Sequence, residues 1–298
     1  MAAAIVRGMS RAVWRRIAEQ SPQLLGISLL PAGAILTCMA LYIFTFALIL
    51  KSGVQIPFVP NSVMVLYWVV SLLQGVLLAW WFVRIVRLRR GRPAGPLQIF
   101  RGEAKHAFWV FLYGLFTFII AVIPLLPLNI ATYYLLFQMN SSGQPVQLPF
   151  SLGAALILGS LATFVFAIWL ASRFAVALPL VAAGQRPNLF REVWPMSKGN
   201  SWALPLRLVG WNMLYLGLLL LLMVPFLSLM AKGLIGGVTN GQSQTDAIIL
   251  LSIRSMPLYF LILLLEVPLV WFNVLLLCEA SERFARRHFL DYEAAPKY

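Results

Sequence analysis

Groups able to carry charge or chemistry are scarce in this chain. Its 298 residues include nine acids, two histidines and two cysteines, and charged residues of all kinds amount to 11%. A soluble globule covers itself with about a quarter charged residues, so the composition excludes an ordinary water-soluble domain. Cys38 and Cys278 both sit inside apolar runs, which supports neither a disulfide framework nor a zinc centre and makes reduced core filler of both. His106 and His288 stand at the edges of apolar runs without a His-Glu-x-x-His pattern. Gly236-Gly237 lacks the Lys-Ser/Thr of a phosphate-cradling loop. No nucleophile, base and orienting acid can be nominated together, so no catalytic residue, metal or other cofactor is expected.

What is abundant is hydrocarbon: 61% of residues are hydrophobic and the mean hydropathy is +0.86. A helix needs about 20 apolar residues to cross a bilayer. Such runs occur at Leu24 to Leu50, Val63 to Val83, Ala107 to Phe137, Phe150 to Ser172, Leu208 to Ala231 and Leu258 to Cys278. The expected fold is therefore all-α and polytopic, with six transmembrane helices within residues 21–282, preceded by a basic segment 1–20 and followed by a tail 283–298. The first run is too long for the apolar part of a secretion signal, about 7 to 15 residues.

Orientation follows from the cations. Of 23 Lys and Arg, all but Lys51, Lys232 and Arg254, hence 20, fall on the side of the termini. Positive loops stay in the cytoplasm during insertion, which places both termini there, in a bacterial inner membrane. The formal charge of +14 does not argue for nucleic acid, because the basic residues flank spans and form no separate basic module.

Local pattern adds detail. Ile5, Met9, Val13 and Ile17 recur every four residues while Arg7, Arg11 and Arg15 share another face, with Trp14 and Arg16 beside them. This is the pattern of an interfacial helix on anionic headgroups, or of a helix packed on the protein's own loops. The third run, 31 residues from Ala107 to Phe137, would be about 46 Å long against a hydrocarbon core of about 30 Å. Pro124 and Pro127 predict a kink there. Phe174 to Ala183 and Ala247 to Ile253 are too short to span, and read as interfacial or re-entrant pieces.

Two stretches carry similar landmarks in the same order. Trp81, Arg84, Gly91-Arg92-Pro93, Phe100-Arg101 and Trp109 match Trp169, Arg173, Gly184-Gln185-Arg186-Pro187, Phe190-Arg191 and Trp202, and Ala280 to Ala285 echoes Ala171 to Ala175. The three helices run in the same direction, which makes a candidate parallel helical-hairpin repeat with its axis along the membrane normal.

Arg173-Phe174, Pro179, Gly184, Trp194, Ser197, Gly199-Asn200 and Trp202 together resemble a bacterial six-helix membrane family. Its members include the membrane domain fused to glycerophosphodiester phosphodiesterases and many stand-alone relatives. The resemblance covers about thirty residues and implies a six-helix membrane domain; the family's hydrolase resides in a separate soluble domain. Pro195 departs from the pattern and argues against a helical start at that point. In this connector Asn200 or Ser201 is positioned to cap the next helix. Trp194 and Trp202 suit the headgroup layer, and Arg84, Arg92, Arg173, Arg186, Arg191 and Lys198 are expected to contact lipid phosphates or to anchor the fold.

Within the spans one acid stands out, Glu266. A charge at mid-bilayer costs about 2.5 to 3.5 kcal/mol on the insertion scale, so it needs a partner or a proton. Measured from the outer ends of the runs, Glu266 and Asn129 lie about 12 Å deep and Gln74 about 17 Å, while Asn273 follows Glu266 by two turns. These four form a candidate intramembrane polar cluster, serving either transport or helix packing. The leading functional expectation is a non-catalytic scaffold, accessory subunit or lipid-contacting module, with anionic phospholipids and a protein partner or second copy as its partners. The alternative is a small permease or lipid translocator using Glu266, and the third is a lipid-modifying enzyme.

Overall fold

A computed structural model describes residues 8–51, 61–91, 102–127, 130, 150–198, 202–239 and 256–293. Among these the fold is helical, with no strand. The elements are α1 (Met9–Lys51), α2 (Asn61–Arg89), α3 (Glu103–Val122), α4 (Phe150–Ala175), two short helices α5 (Leu178–Ala182) and α6 (Trp194–Ser197), α7 (Ala203–Thr239) and α8 (Met256–Glu293). Six of them contain segments long and apolar enough to cross a membrane: Met9–Leu41, Trp68–Arg89, Glu103–Leu125, Leu158–Ala182, Ala203–Leu221 and Leu264–Arg286. The expected six-helix, multi-pass architecture is present.

The long helices follow one another around a ring, α1 on α2, α2 on α3, α3 on α4, α4 on α7, α7 on α8 and α8 back on α1, while α8 also reaches α2. Packing is uneven along their length. The buried core takes residues from the start of α1 (Met9, Val13, Leu24), the end of α2 (Trp81, Val83, Ile85) and the end of α8 (Phe272, Leu276, Phe284). The described core thus gathers at the end of the bundle that carries the termini. Toward its other end the helices show apolar side chains outward, such as Val65, Leu158, Leu221 and Leu261. Outward leucines suit lipid, where apolar surface needs no burial and helices associate by close packing and hydrogen bonds.

Two boundaries differ from the sequence expectation. Residues 9–20 are not a separate interfacial helix, since α1 runs through position 20 without interruption. The apolar face Met9, Val13 and Ile17 is buried in the bundle core, so the amphipathic pattern reflects packing on the protein's own helices. Pro22 removes the N–H that would bond the Ala18 carbonyl, and the Ser21 hydroxyl donates to that carbonyl instead, at 3.3 Å. At the other terminus no tail begins at 283: α8 continues to Glu293 with Phe284 buried. Being 38 residues long, α8 measures about 57 Å and must leave a core of about 30 Å.

The proline break in the third run is present. α3 ends at Val122 and Ile123–Leu125 tightens into a 3₁₀ turn around Pro124. Cys38 and Cys278 are free thiols in buried positions. Gly91 and Gly184 close α2 and α5 at φ of +70° and +93°, values open to glycine and strained for other residues. Their amides bond back to Leu88 O at 3.0 Å and Val181 O at 2.9 Å.

Candidate headgroup-contact site

The connector between α4 and α7 starts at Val176, just past Arg173 and the end of α4, and folds back into the bundle. Val176, Ala177, Val181 and Ala182 are almost wholly buried, and α5 packs against α2, α3 and α8. The short apolar piece is thus a plug in the packed end. After Gly184 the chain emerges: Gln185 and Arg186 are exposed. Asn188 then starts the next turn, its side-chain oxygen accepting from the amides of Phe190 (3.1 Å) and Arg191 (3.0 Å). Asn188 thus caps a turn where the sequence pattern points to Asn200 or Ser201, two residues that lie outside the described ones. Pro195 does not prevent helix, because it stands in the first turn of α6, where a missing N–H costs nothing.

The two arginines of the candidate repeat are interior groups, which corrects their assignment to headgroups. Arg173, 7% exposed, lies between two indoles, its guanidinium carbon 5.0 Å from the Trp169 ring centre and 3.9 Å from that of Trp194. Its Nε donates to Ser197 Oγ at 3.1 Å and its Nη2 to the Trp194 carbonyl at 3.3 Å. Trp194 is consumed by this stack and by Phe174 at 5.6 Å, so it braces the connector. Arg84 is wholly buried, 5.5 Å from the Trp80 ring centre and 3.7 Å from Glu103. In both helices the stacking tryptophan precedes its arginine by four residues, one helical turn.

The cations that face outward are others. Arg186, Arg191 and Lys198 are exposed, as is Trp202 at 51%. Arg186 places its guanidinium carbon 4.2 Å from the ring centre of Trp109 on α3, a cation–π contact that fixes the charge at the surface. At the N-terminus Arg11 and Arg15 are exposed and Arg16 is half-buried. Trp14 packs on Trp211 and Phe272, each at 5.2 Å between ring centres. Arg7 and Arg92 lie outside the described residues.

The intramembrane polar cluster is not assembled as expected. Asn273 pairs with Asn212 of α7 in two reciprocal amide bonds of 3.3 Å, and Asn212 also donates to Leu208 O at 2.6 Å. Equal depth does not by itself select a partner, because a hydrogen bond also requires facing sides of two helices. Glu266 and Gln74 are half-buried and share no hydrogen bond with each other or with Asn273. Asn129 lies outside the described residues. Beside the Asn212 and Asn273 pair, the Tyr215 hydroxyl on α7 donates to Ile262 O at 3.3 Å.

Three further polar arrangements hold the packed end together. The Ser28 hydroxyl accepts from the indole N–H of Trp81 and of Trp271, both at 2.8 Å, and donates to Leu24 O at 2.6 Å. Arg89 binds Glu279 at 2.7 Å and Glu282 at 2.8 Å, and Arg283 holds Glu279 at 2.8 Å. Arg84 and Glu103 join α2 to α3. Only the Glu279/Arg283 spacing of four carried a local signal in the sequence.

Fold and site together define a multi-pass helical membrane protein with a tightly packed, basic, tryptophan-rich end. Compared with family models, with curated proteins and with solved structures, the chain matches none.

Proposed function

We propose that this chain is a non-catalytic scaffold or accessory subunit of the bacterial inner membrane, with both termini cytoplasmic, whose basic end holds anionic lipid headgroups. The observation that carries the reading is the connector after α5, where Arg186, Arg191 and Lys198 are exposed together with Trp202. Cations and indoles at one end of a bundle of apolar helices match the headgroup layer of a cytoplasmic leaflet. The resemblance to membrane domains that leave hydrolysis to a separate domain agrees with a fold that does no chemistry itself. Extraction in gentle detergent followed by mass spectrometry is expected to recover anionic phospholipid together with a protein partner or second copy. A lone monomer that moves solute across liposomes overturns the reading.

One observation favours a second reading, a small permease: Glu266 is a half-buried acid within α8 and has no ion pair among the described residues. On that reading Glu266→Gln keeps abundance and abolishes solute movement in liposomes. Loss of abundance instead assigns Glu266 to packing.

A further inference from the structure

We propose that α3 and the turn after α5 form a site for one anionic glycerophospholipid, with its phosphate between Lys105 and Arg186 and one acyl chain along the groove that begins at Trp109. This deepens the headgroup reading above and rests on it.

Two adjoining cavities carry the inference. The first, of about 170 Å³, holds the ends of Lys105, His106, Gln185 and Arg186 against Trp109 and Val181. The second, of about 510 Å³, is apolar, running between α3 and residues 187–190; Trp109, Phe116, Ile119, Leu189 and Phe190 line it. Trp109 belongs to both, and Arg186 is fixed over its ring at 4.2 Å. A cationic chamber thus opens beside a greasy one at a single indole, the order of groups in a phospholipid.

Size and charge select the occupant. Lys105 lies in the first turn of α3, where the helix starts, and Ile119 is ten residues beyond Trp109, about 15 Å along the axis. That distance is half of a hydrocarbon core of about 30 Å, the depth of one leaflet. No acid lines either cavity, and Lys105 and Arg186 make no salt bridge among the described residues. A headgroup amine finds no carboxylate there, while a phosphate meets two cations. The site therefore prefers an anionic lipid without an amine, such as phosphatidylglycerol, to phosphatidylethanolamine. Gly184 keeps the chamber open: a Cβ at this position would stand 3.0 Å from His106 Cε1. The Tyr113 hydroxyl donates to Pro187 O at 3.1 Å and ties the groove wall to α3.

Native mass spectrometry of the purified full chain, exchanged into detergent with equal phosphatidylglycerol and phosphatidylethanolamine, tests this. The wild type is expected to retain one phosphatidylglycerol with about tenfold preference, and Lys105→Ala with Arg186→Ala to lose that preference. Circular dichroism of this variant confirms that the helices persist. Equal retention of both lipids by the wild type overturns the site and the headgroup reading together. A wild-type preference unaltered in the Lys105/Arg186 variant overturns the site and leaves the headgroup reading standing. Complete displacement of the lipid by millimolar glycerol phosphate identifies a soluble phosphate site and overturns the acyl groove; persistence of the lipid supports it.

Discussion

Arg84 Nε stands 3.7 Å from Glu103 Oε1, and neither side chain exposes any surface. One charge comes from the end of α2 and the other from the first turn of α3, so the pair joins these helices across the connector 90–102. Removing one member of a buried pair weakens the hold on the other charge, at up to about 3–5 kcal/mol, whereas apolar replacement of both is often close to neutral. Glu103→Ala is therefore expected to lower the thermal midpoint in detergent sharply. Arg84→Met with Glu103→Leu is expected to restore most of it. A double variant as unstable as the single one refutes the pairing.

Ser28 offers a second test. Its hydroxyl has two acceptor sites and one proton, and the two indoles and the Leu24 carbonyl use all three. Ser28→Ala strands two buried indole donors, each costing about 1–3 kcal/mol. The expected result is a lower midpoint together with changed tryptophan fluorescence. Trp81→Phe combined with Ser28→Ala is expected to cost less than the sum of the two single changes, because one stranded donor is gone.

These two sites mark how far the sequence was legible. Six spans could be read because hydrocarbon length is recorded locally in each run, and Pro124 announced its own break. Span ends were misplaced where charges are satisfied inside the protein: α2 was expected to stop at Val83 but continues to Arg89, since Arg84 and Arg89 find carboxylates on α3 and α8. Ser28 looked like one more small residue in an apolar run, for its partners lie 53 and 243 positions away. Arg173 was placed correctly near a helix end and assigned the wrong surroundings, because a tryptophan one turn earlier suits the headgroup layer and a buried stack equally well.

The stack makes its own prediction. Lysine keeps the charge of Arg173 but loses the planar fork that bonds Ser197 and the Trp194 carbonyl while lying on two indoles. Arg173→Lys is expected to cost about 2 kcal/mol of stability and to leave the anionic lipid content of the purified protein unchanged. Arg191→Ala is expected to behave in the opposite way, reducing bound anionic lipid with a stability change within about 0.5 kcal/mol. If Arg173→Lys lowers lipid content while the midpoint holds, the interior assignment of Arg173 is wrong.

Orientation can be read with thiol chemistry, because both natural cysteines are buried and give little background to a maleimide. Gln185 and Lys198 are exposed on the connector after α5, so a cysteine at either is open to reagent from whichever compartment it faces. On the proposed orientation, which rests on retention of positive loops during insertion, that compartment is the cytoplasm. A membrane-impermeant maleimide is then expected to leave Gln185→Cys and Lys198→Cys unlabelled in intact cells and to label both once the membrane is permeabilised. Labelling of intact cells at either position places the basic end outside, and with it Arg186 and the lipid chamber beside Trp109.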